Sequence, residues 1–295
     1  MHKRLSILAS LLLLLYGCTA QNSKRIDRIL ALELKELIRP FDAKIGIAVL
    51  HLELGDTLSI NNLHGYPMQS VYKFPLAIAV LHQVDKNKIS LQQKINITKA
   101  DLNPNTWSPL QKKFPDGEID LTVAELLDYT VSKSDNNTCD VLFRLMKGTQ
   151  RVEKYIHGLG YKNIAIKTTE AEMAVNSDSI EKTNWCHPLE MVHILAGFHK
   201  QEHLSERSNQ FLMKLMVESS NSDKRIKGML PPTTMVAHKT GTGNHVVNDV
   251  GIISLPDGGH VAIAIFIQHS KEPFEASENM IAKISRTVYS YLTEN

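Results

Sequence analysis

The strand-like stretches of this chain lie near its two ends, and that placement limits the folds open to it. Lys44–Leu54 (KIGIAVLHLEL) is an apolar run with strand character, and Thr57–Ile60 reads as its partner after a Gly55-Asp56 turn. Met235–Thr240, Asp249–Leu255 and His260–Gln268 read the same way near the C-terminus, the last two joined by the turn Pro256-Asp257-Gly258-Gly259. Between these groups the pattern is helical. Ser70–Val84 is apolar and strongly patterned, with Pro75 close to its start, where a missing N–H is tolerated. Thr122 and Glu125 form a capping box ahead of Leu126, Leu127 and Tyr129. Asn137–Met146 stops at Gly148, Pro188 opens a helix through Phe198, and Ser205–Ser219 reads as one more. A helix near Arg25–Ile38, ended by Pro40, precedes the first strands, and a last helix carries Met280, Ile281, Ile284, Val288 and Leu292 on one face. Such an order forms one sheet only if both chain ends contribute strands. The helical middle is then a lobe inserted into the sheet, and clefts between lobes are common sites.

The first residues read as an export signal. His2, Lys3 and Arg4 make a basic start, and Leu5 to Leu15 is an apolar core too short for an ordinary transmembrane helix. Residues 1–20 are therefore expected to be a signal peptide directing the chain to the periplasm. Leu15-Tyr16-Gly17-Cys18 resembles a bacterial lipobox, which would leave a lipidated Cys18 as a membrane tether; the rival is ordinary cleavage after Cys18-Thr19-Ala20. The chain has 33 Lys and Arg against 31 Asp and Glu. Loss of residues 1–20 removes Lys3 and Arg4 and no acid, so the remaining balance is zero. No basic field is left to attract nucleic acid. Residues 21–295 suit one large domain or two interleaved lobes, expected as a monomer. Besides Cys18 only Cys139 and Cys186 remain, and Cys139, in a helical pattern, reads as a buried free thiol.

The chemistry is carried by three short motifs. Ser70-Val71-Tyr72-Lys73 opens the long apolar helix, so an amine one turn on shares a face with a hydroxyl. A serine is a poor nucleophile until something takes its proton. The helix N-terminus offers unpaired N–H groups and a positive dipole end to an oxyanion formed on Ser70. Ser134-Asp135-Asn136 lies in a bend between two helices and adds a second hydroxyl and an amide; alone it reads as a helix cap. Lys239-Thr240-Gly241 lies on a strand and adds a second ammonium; alone it reads as an edge strand with a solvated lysine.

In this order and at these intervals the three motifs resemble the serine penicillin-recognising enzymes, which are the β-lactamases of classes A and D and the DD-peptidases. Glu170, in Thr168-Thr169-Glu170-Ala171-Glu172-Met173, narrows the likeness. It follows the second motif by 34 residues, matching the deacylating glutamate of class A β-lactamases, and Thr183-Asn184-Trp185 resembles the end of that loop. The chain looks most like the class A branch of Bacteroides-type and some extended-spectrum enzymes, where the loop reads Thr-Glu-x-x-Met. The resemblance implies an α/β (α+β) fold: an antiparallel five-stranded sheet from both chain ends, flanked by helices, with an all-helical lobe at about 70–225.

It also implies roles. Ser70 is the nucleophile, and Lys73, or Glu170 through a water, takes its proton. The backbone N–H groups of Ser70 and Thr242 form the oxyanion hole. Ser134 passes a proton to the departing lactam nitrogen, Lys239 holds Ser134 and meets the substrate carboxylate, and Asn136 binds the substrate's side-chain amide. Thr240 and Gly241 complete the substrate-binding strand. Glu170 then activates water to hydrolyse the acyl-enzyme. Trp107 matches the aromatic gate. The expected substrates are small-molecule β-lactams, penicillins and cephalosporins, with no cofactor.

Two positions depart from the pattern. Many class A enzymes place an asparagine four residues after the glutamate, where this chain has Ala174. Many also carry an arginine after the K-T-G motif, absent from Val246-Val247-Asn248-Asp249; Arg225 matches an alternative arginine position in some relatives. Two rival readings stay open: a DD-peptidase, which would not need Glu170, and a non-hydrolytic β-lactam-binding sensor, which a stalled acyl-enzyme would make. His199 and His203 are four apart and share a helix face, but no third ligand is evident nearby and nothing resembles the His-x-His-x-Asp cluster of zinc β-lactamases, so no metal is expected.

Overall fold

The computed structural model describes residues 25–175, 183–220 and 223–294; the expected signal segment, residues 1–20, and Cys18 lie outside the described residues. α1 (Arg28–Ile38) starts where the Asp27 carboxylate accepts the N–H groups of Ile29 and Leu30, and it buries Leu30 and Leu34. β1 (Lys44–His51) and β2 (Thr57–Ile60) form a hairpin in which Val49 faces Leu58. The chain then leaves the sheet. β3 (Tyr66–Pro67) leads through a 3-10 turn, Gln69–Tyr72, into α2 (Lys73–Asp85). β4 (Lys94–Ile97), α3 (Pro109–Lys113), β5 (Ile119–Thr122), α4 (Val123–Val131), α5 (Asn136–Leu145) and α6 (Thr149–Gly158) follow. Next come β6 (Ile164–Ala165), α7 (Glu170–Val175), β7 (Trp185–Cys186), α8 (Pro188–His199) and α9 (Glu206–Val217). The chain rejoins the sheet at β8 (Val236–Gly243), β9 (Val246–Ser254) and β10 (His260–Gln268), and ends in α10 (Phe274–Thr293).

The main sheet runs β2-β1-β10-β9-β8 with every neighbouring pair antiparallel. Both chain ends supply it, as the strand placement requires. Its register lines up Ala48, Ala264, Val250 and Lys239 across four strands. The strands read as continuous apolar runs because both faces are covered. Ile45, Ile47 and Val49 of β1, with Val261, Ile263 and Ile265 of β10, pack with α1 and α10. The alternate residues Ala48, Ala262, Ala264 and Phe266 pack with α2 and α8. Side chains on that second face are small where elements approach closely: a Cβ on Gly46 would lie 2.4 Å from the Tyr66 ring and 2.8 Å from Pro188.

α2 is the axis of the second core. Phe74 and every residue from Leu76 to Leu81 are fully buried. A helix buried on all sides belongs inside a protein, so the strong patterning read for Ser70–Val84 gives way to burial all round. Cys139 on α5 and Cys186 on β7 are both buried free thiols. The lobe is not purely helical. β4 and β5 form a two-stranded ladder with Ile95 facing Leu121, and β3, β7 and β6 form a small sheet. Strands of two to four residues are too short to show an alternating pattern, and Thr122 is at once the end of β5 and the cap of α4.

The two-faced burial of β10 makes a test. Ile263→Ala should lower the unfolding free energy by about 2–5 kcal/mol. Urea denaturation should show this as an earlier midpoint with an unchanged slope.

Candidate active site

Ser70 lies in the 3-10 turn just before α2, not in the helix proper. The turn keeps the geometry the motif needs, since side chains three apart eclipse in a 3-10 helix. Lys73 Nζ is 3.0 Å from Ser70 Oγ. Two contacts hold the turn. The Asn248 amide on β9 donates to Pro67 O at 2.8 Å and Met68 O at 3.1 Å. β8 closes against the same segment at Gly241, where an added Cβ would lie 2.3 Å from Met68 O and 3.3 Å from Ser70 N. Only glycine permits this approach of β8 to the Ser70 turn. Gln69, just ahead of Ser70, adopts φ 49°, in the left-handed region.

Lys73 is fully buried and its ammonium is completely engaged. It donates to Ser70 Oγ, to Ser134 O at 2.9 Å and to Asn136 Oδ1. Glu170 Oε1 lies 3.0 Å away as the ion-pair partner. With all three N–H bonds directed elsewhere, Oε1 is buried without a hydrogen-bond donor among the described residues.

The Ser134–Asn136 bend is set by strain and capping. Ser134 has φ 57°, which aims its carbonyl at Lys73 and its hydroxyl at Lys239, 2.8 Å from Nζ. Asp135 is the helix cap of the plain reading: its carboxylate takes Thr138 N, Leu110 N and Ser108 Oγ and stays out of the cleft. Asn136 donates from Nδ2 to Thr106 Oγ1 at 2.7 Å. Trp107 is half exposed at the rim, fixed by Nε1 donating to Lys133 O at 3.1 Å.

Lys239 is fully buried, unlike the solvated lysine of an edge strand. Burial, with the Lys73 charge nearby, pushes its ammonium well below the usual lysine range. Arg225 is only 2 % exposed and is no surface charge either. It donates to Glu278 Oε1, Gly241 O, Asn248 O and Thr242 Oγ1 at 2.7–3.1 Å. It reaches the cleft wall, yet its bonds are spent on bracing: two go to β8 at Gly241 and Thr242, one to β9 at Asn248 and one to Glu278 on α10. A buried His238–Asp249 pair on β8 and β9, with Asp249 accepting Ile226 N–H, fixes the segment just after Arg225.

Glu170 begins α7, and its placement comes from both sides. The Asp140 carboxylate on α5 accepts Glu170 N at 2.8 Å and Ala171 N at 2.9 Å. Burial, with Glu170 adding to it, lifts Asp140 to about 6 even against those N–H groups. Asn184 closes the loop, accepting Lys167 N and Thr168 N and donating to Thr168 O. Ala174 is exposed on α7.

Gln69, Ser70, Trp107, Ser134, Asn136, Glu170, Arg225, Thr240, Thr242, Phe274 and Glu278 line one cleft of ≈ 480 Å³. Every site residue expected from the sequence lines this cleft or, like Lys73, Lys239 and Gly241, touches a residue that does. Sequence reasoning missed Gln69, Asp140, Asn248 and Glu278. Asn248 had a signal, as an amide inside an apolar strand; the others had none.

Comparison with known proteins gives consistent matches. A family model described as the beta-lactamase enzyme family matches residues 29–292. Beta-lactamase VEB-1 of Pseudomonas aeruginosa is 39% identical over 293 residues, covering 97% of both chains. A beta-lactamase of Bacteroides uniformis is 37% identical, covering 94% of this chain and 96% of its own. Among solved structures, TLA-1 extended-spectrum beta-lactamase aligns with TM-score 0.88 and 45% identity over 90% of this chain and 99% of its own. A class A beta-lactamase from Bacteroides cellulosilyticus aligns with TM-score 0.86 and 36% identity over 90% and 98%.

Arg225→Ala would strand the Glu278 carboxylate and three acceptors in a buried wall. Its expected cost is about 3–5 kcal/mol in urea unfolding, several-fold more than for an exposed arginine such as Arg207.

Proposed function

The chain belongs to the beta-lactamase enzyme family, and we propose that it opens the β-lactam amide of penicillins and cephalosporins through an ester on Ser70. It is a class A β-lactamase, a hydrolase whose activity gives resistance to these antibiotics. The observation that carries the mechanism is the position of Lys73 Nζ, 3.0 Å from Ser70 Oγ and 3.0 Å from Glu170 Oε1.

In that arrangement the serine proton has a short path to Glu170. Either Lys73 gives its own proton to Glu170 and takes the serine's, or a water between Ser70 and Glu170 passes it on. Ser70 Oγ attacks the lactam carbonyl, and the oxyanion is received by the N–H groups of Ser70 and Thr242, a reading supported by the close approach of Gly241 to Ser70 N. Ser134 Oγ gives its proton to the lactam nitrogen as the C–N bond breaks. Lys239, 2.8 Å away, holds that hydroxyl and supplies positive charge to the substrate carboxylate with the Thr240 and Thr242 hydroxyls. Arg225 acts on this group through Thr242 Oγ1. Asn136 and Trp107 meet the acylamide side of the substrate.

Deacylation belongs to Glu170. Glu170 lines the cleft, and its buried Oε1 has no hydrogen-bond donor among the described residues, which a carboxylate oxygen calls for. A water held there is placed to attack the Ser70 ester while Glu170 takes its proton. Ala174 offers no side-chain amide to help hold that water.

The reading includes export to the periplasm, supported by the basic start and short apolar core of residues 1–20, with Cys18 as a tether if lipidated. Among the described residues no helix is long and apolar enough to cross a membrane. Cys18→Ser should move the protein from the membrane to the soluble fraction of the periplasm if the tether exists.

Glu170→Ala should acylate and then stall. Mass spectrometry after mixing with a penicillin should show one drug on Ser70, and turnover should fall by about 10²–10⁴-fold. Unchanged turnover in this variant would sink the reading, and a wild-type enzyme that stops after one stoichiometric burst would favour the DD-peptidase or sensor.

Lys239 sets an expectation for pH. Its charged form is the active one and burial lowers its proton affinity, so kcat/KM should fall on an alkaline limb below the ordinary lysine range. Lys239→Arg, which does not titrate there, should lose that limb at a lower plateau.

A further inference from the structure

His199 does not pair with His203. His203 Nε2 is bonded to Tyr161 OH at 2.9 Å, while His199, at the last turn of α8, turns to the sheet. There it meets His260, the first residue of β10, with ring centroids 4.5 Å apart, and Glu53 from the turn after β1. Glu53 Oε1 is 2.9 Å from His260 Nδ1 and 3.9 Å from His199 Nε2. Each of the three residues offers a ligand atom, and those atoms lie within 4.8 Å of one another.

We propose that Glu53, His199 and His260 form a binding site for a divalent transition ion, Zn²⁺ in the first place, remote from the catalytic cleft. Two imidazoles and one carboxylate are the donor set of an open three-ligand zinc site, with water completing the tetrahedron. In such a site neighbouring ligand atoms stand about 3.4 Å apart, within reach of the spacing found here. The donors are held in advance. Glu53 Oε2 accepts the backbone N–H of His260 at 2.8 Å, which fixes the carboxylate and leaves Oε1 toward the two rings. His51, buried behind, has Nδ1 3.4 Å from Glu53 Oε2. The negative end of α8 lies at His199 and favours a cation. All three side chains are partly open to solvent, so an ion has a way in.

On binding, the metal takes the place of the proton between His260 Nδ1 and Glu53 Oε1, and His260 ligates as the neutral imidazole with its one ring proton on Nε2. The ion would join three elements: the end of α8, the β1–β2 turn and the start of β10. The site is four residues along β10 and two strands across from Lys239, since Lys239 faces Val250 and Val250 faces Ala264. It therefore acts on stability and not on the bond-breaking step.

The test uses the tag-free mature enzyme, stripped with a chelator and titrated with ZnCl₂ in a calorimeter. The expected result is one Zn²⁺ per chain, and a rise in Tm of about 5 °C at a hundredfold excess over Kd. Both should vanish in His199→Gln and in His260→Gln and persist in His203→Gln. Turnover of a chromogenic cephalosporin by each variant reports that it is folded. No stoichiometric binding up to about 100 μM Zn²⁺, or binding that survives both substitutions, would overturn the proposal.

Discussion

The fixed point of this molecule is the Lys73 ammonium, fully buried and surrounded by oxygens. A charge inside a protein is held only if its surroundings replace the water it has lost. Here the replacements come from Ser70, from Ser134 and Asn136 on the α4–α5 bend, and from Glu170 on the loop before β7. These segments are far apart in the chain. The need to satisfy one ammonium therefore draws nucleophile, proton donor and water-activating base to within a few ångströms of each other.

The sheet supplies the other half of the arrangement. β8 and β9 come from the C-terminal end of the chain and the turn that carries Ser70 from the inserted part, and at Gly241 the two come within backbone distance. Asn248 stitches the same seam by taking two carbonyls ahead of Ser70. Two buried lysines then face one serine each, Lys73 toward Ser70 and Lys239 toward Ser134. Their mutual repulsion, added to burial, weakens the proton affinity of Lys239 and readies Ser134 to exchange protons with it.

The chain announces some of this and hides the rest. Strand runs near both ends were legible because burial on both faces leaves nothing polar in them, and the bounds of Thr57–Ile60 and His260–Gln268 match the strands formed. The four motif residues Ser70, Lys73, Ser134 and Lys239 were legible as chemistry because few other reasons place those groups in that order. Asp140 and Glu278 were not, since a carboxylate on a helix looks the same whether it caps a distant loop, binds a distant arginine or faces water. Arg225 was legible as a position but not as a strut. His199 and His203 show the limit of local spacing: four residues apart, they offered no third ligand from the sequence, while the neighbours of His199 are supplied by β10 and by the turn after β1. Short strands such as β4 and β5 escaped notice because four residues carry too little periodicity.

Glu170 is fastened ahead of its own helix by Asp140 and across the base of its loop by Asn184. The carboxylate is thus registered both to α5 and to the residue just ahead of β7. In evolutionary terms the water-activating group is tied to two separate parts of the chain, so a lineage can retune turnover by altering Asp140 or Asn184 without changing a residue that lines the cleft.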